Sequence, residues 1–212
     1  TRCYLMALAT YNDLVKSIVS WSHRQDILTL IPDFIALAET EMYNNEGWQL
    51  ETRDMETITD VLTTGLYLDL PAGFEKARSV QLQTSNGLQD LKSQAPEQLL
   101  RQVTTGMPRF FSVIGNQIEL DRIPDSQYTV QFQYYKKPDP ITALNQTNSV
   151  LTNHANIYLY GALHQLFLWS EDDQEAIKYF AKMQSVIRGA NKSAKKARYG
   201  AAPYMRVEGV TP

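Results

Sequence analysis

Residues 105–121 read TGMPRFFSVIGNQIELD. A glycine, a proline and a paired aromatic lead into an apolar run, then Gly115-Asn116 supplies a turn, then a second short run follows. The pattern predicts two strands, about Arg109–Ile114 and Gln117–Leu120, joined as a hairpin. No residue in the stretch sits in a catalytic context, so it reads as a building module. Its neighbours read the same way. Upstream, Ile58, Val61 and Leu62 lie among threonines, Leu66, Leu68 and Leu70 alternate between turns at Gly65 and Pro71–Gly73, and Asn86-Gly87 is a strong hairpin signal. A short helix is expected from Pro96 to Val103. Downstream, YTVQFQYYKK sets Tyr128, Val130, Phe132 and Tyr134 against Thr129, Gln131, Gln133 and Tyr135, as in a half-buried strand.

Both chain ends carry the helical period instead. Thr10 is placed to cap a first helix with Leu14, Ile18 and Trp21 on its apolar face. After SHRQD, a second helix opens at Pro32, buries Phe34, Ile35, Leu37 and Ala38, and ends by Asn44, Asn45 and Gly47. Helix returns after Thr152-Asn153, with Ile157, Tyr160, Leu163, Leu166 and Phe167 on one face. Gly161 within it costs about 1 kcal/mol against alanine and implies close helix–helix approach. Ser170 is expected to cap a last helix, with Glu171, Asp172 and Asp173 in the first turn where the dipole favours negative charge. Its stripe of Ala176, Tyr179, Phe180, Met183, Val186, Ile187, Ala190, Ala194 and Ala197 runs to about Arg198 and thins to alanine. At about 40 Å, this helix is longer than a small bundle needs, so its end is expected to project or pack on a neighbour.

The predicted fold class is therefore α+β: a helical bundle formed from both chain ends, an inserted antiparallel β-domain, a long C-terminal helix and an extended tail. The expected division is 1–53 with 151–198 for the helical domain, 54–150 for the β-domain and 199–212 for the tail. The 212 residues, 43% apolar and 20% charged with a net charge of −3, suit a soluble globular protein and give no whole-chain signature of nucleic-acid binding. The single cysteine, Cys3, cannot form an internal disulfide. TRCYLMALAT is too short in its apolar part for a signal peptide, Met6 could serve as an alternative start, and no segment is apolar enough to span a membrane.

A search for chemistry yields little. His23 stands alone, and His154 and His164 are ten residues apart, about 80° around one helix. No metal-ligand spacing, phosphate loop or nucleophile elbow is present, so no catalytic residue, metal or cofactor is expected. The pairs Phe110-Phe111 and Tyr134-Tyr135 should each split, one ring to the core and one to the surface, where it suits a protein interface. The segment RGANKSAKKARYG places Arg188, Lys192, Lys195, Lys196 and Arg198 within a broad arc of the last helix. This arc reads either as a solvated helix end or as a docking stripe for an acidic partner or DNA. The tail YGAAPYMRVEGVTP cannot fold alone and is of a kind that orders on a partner.

At this point the chain resembles the head-to-tail adaptor (connector) proteins of tailed phages, of the type below the portal in short-tailed phages. The resemblance is carried by ATYNDLVKSI, IPDFIALAETEM, TRDMET, LDLPAGFEKARSVQL, GMPRFFSVIGNQIEL, LTNHANIYLYGALHQLFLW running into SEDDQEAIKYF, and KKARYGAAPYMRV, in this order along nearly the whole chain. It implies a structural, non-enzymatic virion protein forming a homo-oligomeric ring, typically of twelve subunits. Such a ring would join the portal to the tail nozzle, complete the DNA channel for ejection and serve as a platform for tail assembly. The implied partners are the portal protein, the nozzle protein and tail fibres or spikes, with genomic DNA passing through unrecognised and no membrane involved. The implied location is the virion tail below the portal, and the host cytoplasm during assembly. The expected portal-docking residues are Arg188, Lys192, Lys195, Lys196 and Arg198 on the helix, and Tyr199, Tyr204, Met205, Arg206 and Val207 beyond it. The alternative is a carbohydrate- or receptor-binding β-module of a tail appendage. That would need exposed aromatics beside convergent amides or carboxylates, which the sequence does not reveal.

Overall fold

The computed structural model describes residues 8–44, 49–102 and 104–199. Its elements are α1 (Tyr11–Ser22), α2 (Ile31–Asn44), β1 (Glu56–Thr63), β2 (Tyr67–Asp69), β3 (Phe74–Thr84), β4 (Gly87–Asp90), β5 (Lys92–Ser93), β6 (Phe110–Ile114), β7 (Gln117–Leu120), β8 (Tyr128–Lys136), α3 (Ser149–Trp169) and α4 (Asp173–Tyr199), with a 3-10 turn at Arg53–Met55. The fold is α+β, and the chain divides into two compact units: residues 1–54 with 138–212, and residues 55–137.

In the helical unit, Thr10 caps α1 by accepting the Asp13 N–H (3.2 Å), and its own hydroxyl donates to the Asp13 carboxylate (2.8 Å). Leu14 and Ile18 are fully buried. Trp21, expected on the same face, is 44% exposed, because the helix ends two residues further on at His23, whose φ of 54° turns the chain away. Leu37 of α2 is likewise exposed, while Phe34, Ile35, Ala38 and Met42 are buried. The start of α3 is four residues earlier than the apolar period implies. Asn148 caps it through the Leu151 N–H (2.8 Å), and His154 departs from helical geometry (φ −140°, ψ 46°), so the regular stripe begins only after this kink. Residues 138–148 belong to this unit. The buried Glu39 of α2 holds them by accepting the Ile141 N–H (2.9 Å) and the Tyr158 hydroxyl (2.9 Å). Burial, first of all, holds the Tyr158 phenol well above its ordinary pKa, so it stays a donor.

Ser170 ends α3 rather than starting α4. Its N–H bonds the Leu166 carbonyl (3.0 Å), Glu171 adopts φ 59° and bonds Leu168 (3.2 Å), and Asp172 bonds Phe167 (3.0 Å). This is a Schellman turn with a glutamate at the left-handed position. Asp172 then caps α4 by accepting the Glu175 N–H (3.2 Å).

The β unit is a sandwich of two four-stranded sheets, ordered β1-β8-β3-β4 and β2-β7-β6-β5. Both contribute to one core: Leu68, Phe111, Ile118 and Leu120 from one sheet, and Val80, Leu82, Val130, Phe132 and Tyr134 from the other. The opening stretch forms the β6–β7 hairpin, with Ile114 opposite Gln117 and Gly115 at φ 59°. The β3–β4 hairpin turns one residue earlier than its signal suggests. Ser85-Asn86 makes the connection and Gly87 (φ 113°) is already paired with Thr84. The β unit is not wholly antiparallel, since β5 runs parallel to β6. In β1, Val61 faces the core while Ile58 and Leu62 are exposed.

The helix expected at Pro96–Val103 does not form. Only a turn is present, with the Gln98 N–H on the Ala95 carbonyl (2.9 Å), and Val103 lies outside the described residues. The backbone and side chains here are committed to β7 and its continuation. The Gln102 N–H bonds the Asp121 carbonyl (2.7 Å) and the Arg101 guanidinium grips the Glu119 carboxylate. These tertiary bonds outweigh a weak local preference. The paired aromatics also depart from expectation. Tyr134 and Tyr135 are both buried, Tyr134 in the sandwich core, and Phe110 is half-buried beside the buried Phe111.

Gly161 sits where a Cβ would lie 2.9 Å from the Ala38 Cβ and 2.9 Å from the Met183 Sδ. Gly161→Ala should therefore destabilise the protein by about 1–3 kcal/mol despite a better helix propensity, because the contacts are overpacked. Ala38→Gly in the same chain should recover part of the loss. Thermal unfolding of both variants checks this, and a more stable Gly161→Ala protein would refute the close contact.

Candidate functional site

The last helix carries most of the residues expected to dock. Its inner side is satisfied within its own unit as far as Ala194: Ala176, Tyr179, Met183, Ile187, Ala190 and Ala194 are buried. Asn191 fixes the distal half by donating to the Gln49 carbonyl (2.8 Å) and accepting the Glu51 N–H (2.9 Å). Ala197 is exposed. The helix end thus packs on residues 49–54 up to its last turns, where a shallow cleft lined by Thr52, Asp54, His154 and Ser193 opens beside it.

On the opposite side, Arg188, Lys192, Lys195 and Lys196 are exposed. Their spacing places them on one face about half a turn away from Ala190 and Ala194. Arg188 donates to Gln184 (3.3 Å), and none of the three lysines forms an ion pair with a described residue. Arg198 is half-buried and lies toward the flank of the inner face, so it is set apart from this arc. Tyr199 is the last helical residue, while Tyr204, Met205, Arg206 and Val207 lie outside the described residues.

Sequence reasoning missed a second surface feature of the same unit. Trp21 of α1 lies 6.1 Å from Tyr160 and 6.5 Å from Tyr179, and Phe167 stacks on Tyr179 at 5.4 Å. The Lys182 ammonium sits 4.9 Å above the Tyr179 ring and 5.6 Å above Tyr160. Nearby in the same unit, Trp169 is half-exposed, packs on Phe34 (6.0 Å) and carries the Arg24 guanidinium 5.2 Å above its ring. Exposed tryptophan beside tyrosine and arginine is the composition of an interface centre. The available signal was Trp21 standing immediately before a helix-breaking segment.

The buried acidic groups are committed to structure. The Glu119 side chain is 1% exposed and accepts from Arg101 (Nη2, 3.0 Å) and the Tyr67 hydroxyl (3.3 Å). The buried Asp121 accepts the N–H groups of Arg109 (2.9 Å) and Phe110 (3.2 Å) and the Arg122 Nε (3.0 Å). His164 faces the Ala176 carbonyl through Nδ1 (2.9 Å), which places a proton there, and stacks against Phe180 at 4.9 Å. Among the described residues, no group of three or more His, Cys, Asp or Glu is arranged to hold a metal, and no helix is long and apolar enough to cross a membrane.

The family model described as SU10 adaptor protein matches residues 9–206, which takes in all the elements above. The chain belongs to the SU10 adaptor protein family. This is a family of phage head–tail adaptors, so the protein is a structural component of the virion that works among portal and tail proteins. No match is found among curated proteins. For an SU10 adaptor, Glu119 and Asp121 read as fasteners of the sandwich, since each oxygen-rich group is already surrounded by donors.

The Arg101 hydrogen bond, above all, holds the Glu119 carboxyl below its ordinary pKa, against the opposing effect of desolvation. A lowered folded-state pKa contributes stability that is present above the ordinary carboxylate range and is lost as pH falls through the folded value. Arg101→Met should therefore destabilise the protein at neutral pH, and the difference from wild type should shrink as pH drops below about 4. Urea unfolding at both pH values checks this. An equal difference at each would show that the ion pair does not control it.

Proposed function

We propose that this SU10 adaptor is the subunit of a ring that docks under the portal, receives the tail nozzle and completes the DNA channel. In this reading the exposed side of α4 and the tail after it form the portal-docking segment: Arg188, Lys192, Lys195, Lys196, Arg198, Tyr199, Tyr204, Met205, Arg206 and Val207. The observation that carries the reading is the cation arc of α4. Three exposed lysines with no acidic partner among the described residues stand on a helix whose opposite side is rigidly held by Asn191 and the buried alanines. A fixed, unneutralised row of charge steers an acidic partner into register, while the tail's Tyr, Met, Val and Arg supply anchor residue types. Ordering the tail costs entropy, so those anchors must be buried on binding.

Deleting residues 199–212 should leave the melting temperature nearly unchanged and abolish co-sedimentation with the portal protein. Lys192→Glu, Lys195→Glu and Lys196→Glu together should weaken the same binding by about tenfold at low salt and flatten its salt dependence. Full portal binding by the truncated protein would overturn the assignment.

Weak contacts between subunits become effective when each subunit is also held by the portal, which raises their effective concentration. The purified adaptor should therefore be monomeric by light scattering at micromolar concentration and form rings only with portal present. A stable closed ring without portal would contradict templated assembly.

A further inference from the structure

The open end of the β-sandwich holds a cleft of about 450 Å³, within the size range of small-ligand sites. Its floor is apolar: Met107 and Tyr128 are half-buried and pack against the sandwich core. Its rim is uncharged. The Ser85-Asn86 turn of the β3–β4 hairpin supplies a hydroxyl and an amide, and Gln89 of β4, paired with the core residue Leu82, adds a second amide on the same face as Tyr128. Ser126 and Gln127, leading into β8, supply the facing side. The Thr84 hydroxyl is already used, donating to the Gly87 carbonyl (2.8 Å) and accepting the Asn86 N–H (3.2 Å). The side chains of the other rim residues make no hydrogen bond to any described residue. The Tyr128 hydroxyl donates to Asp125 (2.7 Å), which fixes the ring and leaves its oxygen able to accept.

Three amides and two hydroxyls offer donors and acceptors in roughly equal supply, without a carboxylate, ammonium or guanidinium in the lining. Such a rim cannot neutralise a phosphate or a carboxylate. It matches a ligand dense in hydroxyl groups, each of which both gives and accepts. The Tyr128 ring and Met107 in the lining suit the other property of such a ligand, a face of C–H groups. We propose that this cleft binds a neutral saccharide of one or two sugar units. The proposal stands independently of portal docking, which concerns α4 and the tail.

The test is an NMR titration of the full ¹⁵N-labelled chain with glucose, galactose, N-acetylglucosamine and cellobiose, each taken separately into the millimolar range. The expected result is a saturable shift with at least one sugar, confined to the side-chain amides of Asn86, Gln89 and Gln127 and the backbone around Tyr128. Gln127→Ala, an exposed change that leaves the core intact, should weaken that binding about tenfold, the effect of losing a well-placed hydrogen bond. Tyr128→Leu keeps an apolar floor but removes the ring and should weaken it comparably. The proposal is overturned if no sugar gives a saturable shift, or if the shifts survive Gln127→Ala unchanged. It is equally overturned if the peptide Gly-Asn-Gly or the anionic sugar N-acetylneuraminic acid binds the cleft as well as the neutral sugars do.

Discussion

The helical unit depends on a single buried carboxylate. Glu39, 7% exposed, lies on α2 and accepts from the Ile141 backbone and the Tyr158 hydroxyl, so one side chain ties α2, α3 and the return segment 138–148 together. Asn148 extends the network, donating to Tyr158 (2.7 Å) and to the Asp139 carbonyl (3.0 Å) while capping α3. A carboxyl group buried this deeply is tolerated only with its hydrogen bonds intact, so the network leaves the return segment little conformational choice. The same segment meets α1, through the Tyr11 N–H on the Gln146 carbonyl (2.7 Å). The packing of Gly161 against Ala38 then becomes possible because both helices are already held in place.

Much of this was legible in the sequence where the physics is local. Periodicity gave the helices at both ends, and the Gly115-Asn116 hairpin appeared where turn chemistry placed it. Tertiary bonds decided the rest. Pro96–Val103 looks helical until Glu119 and Asp121 are seen to claim Arg101 and the Gln102 N–H, and neither acid signals that role in the sequence. Ser170 and Asp172 are both good caps, and only the left-handed Glu171 between them decides which helix each one serves. Asn148 gives no clear cap signal in the sequence, because the kink at His154 interrupts the apolar period behind it.

The functional surfaces divide along the same line. Four cations of α4 were readable because they lie on one continuous helix, where spacing fixes direction. Arg198 drifts to the flank of that arc by the same geometry. The aromatic group around Tyr179 draws on α1, α3 and α4, and the sandwich cleft draws on a hairpin, a loop and a strand entry. Neither can be assembled from spacing alone, because the residues meet only through the packing of separate elements.

The helical unit is built from two distant stretches of chain, and this sets a timetable for its synthesis. Ile18, Phe34 and Ile35 are completed long before α3 begins at Ser149, the helix against which α1 and α2 pack. At about 5–20 residues per second of elongation, these apolar faces wait on the order of ten seconds for their partner. The contiguous stretch 55–137 has no such delay and can close its sandwich in the interval. During translation, then, the early helices are the sticky part of the nascent chain, and chaperone attention should fall on residues 11–44 more than on the strands.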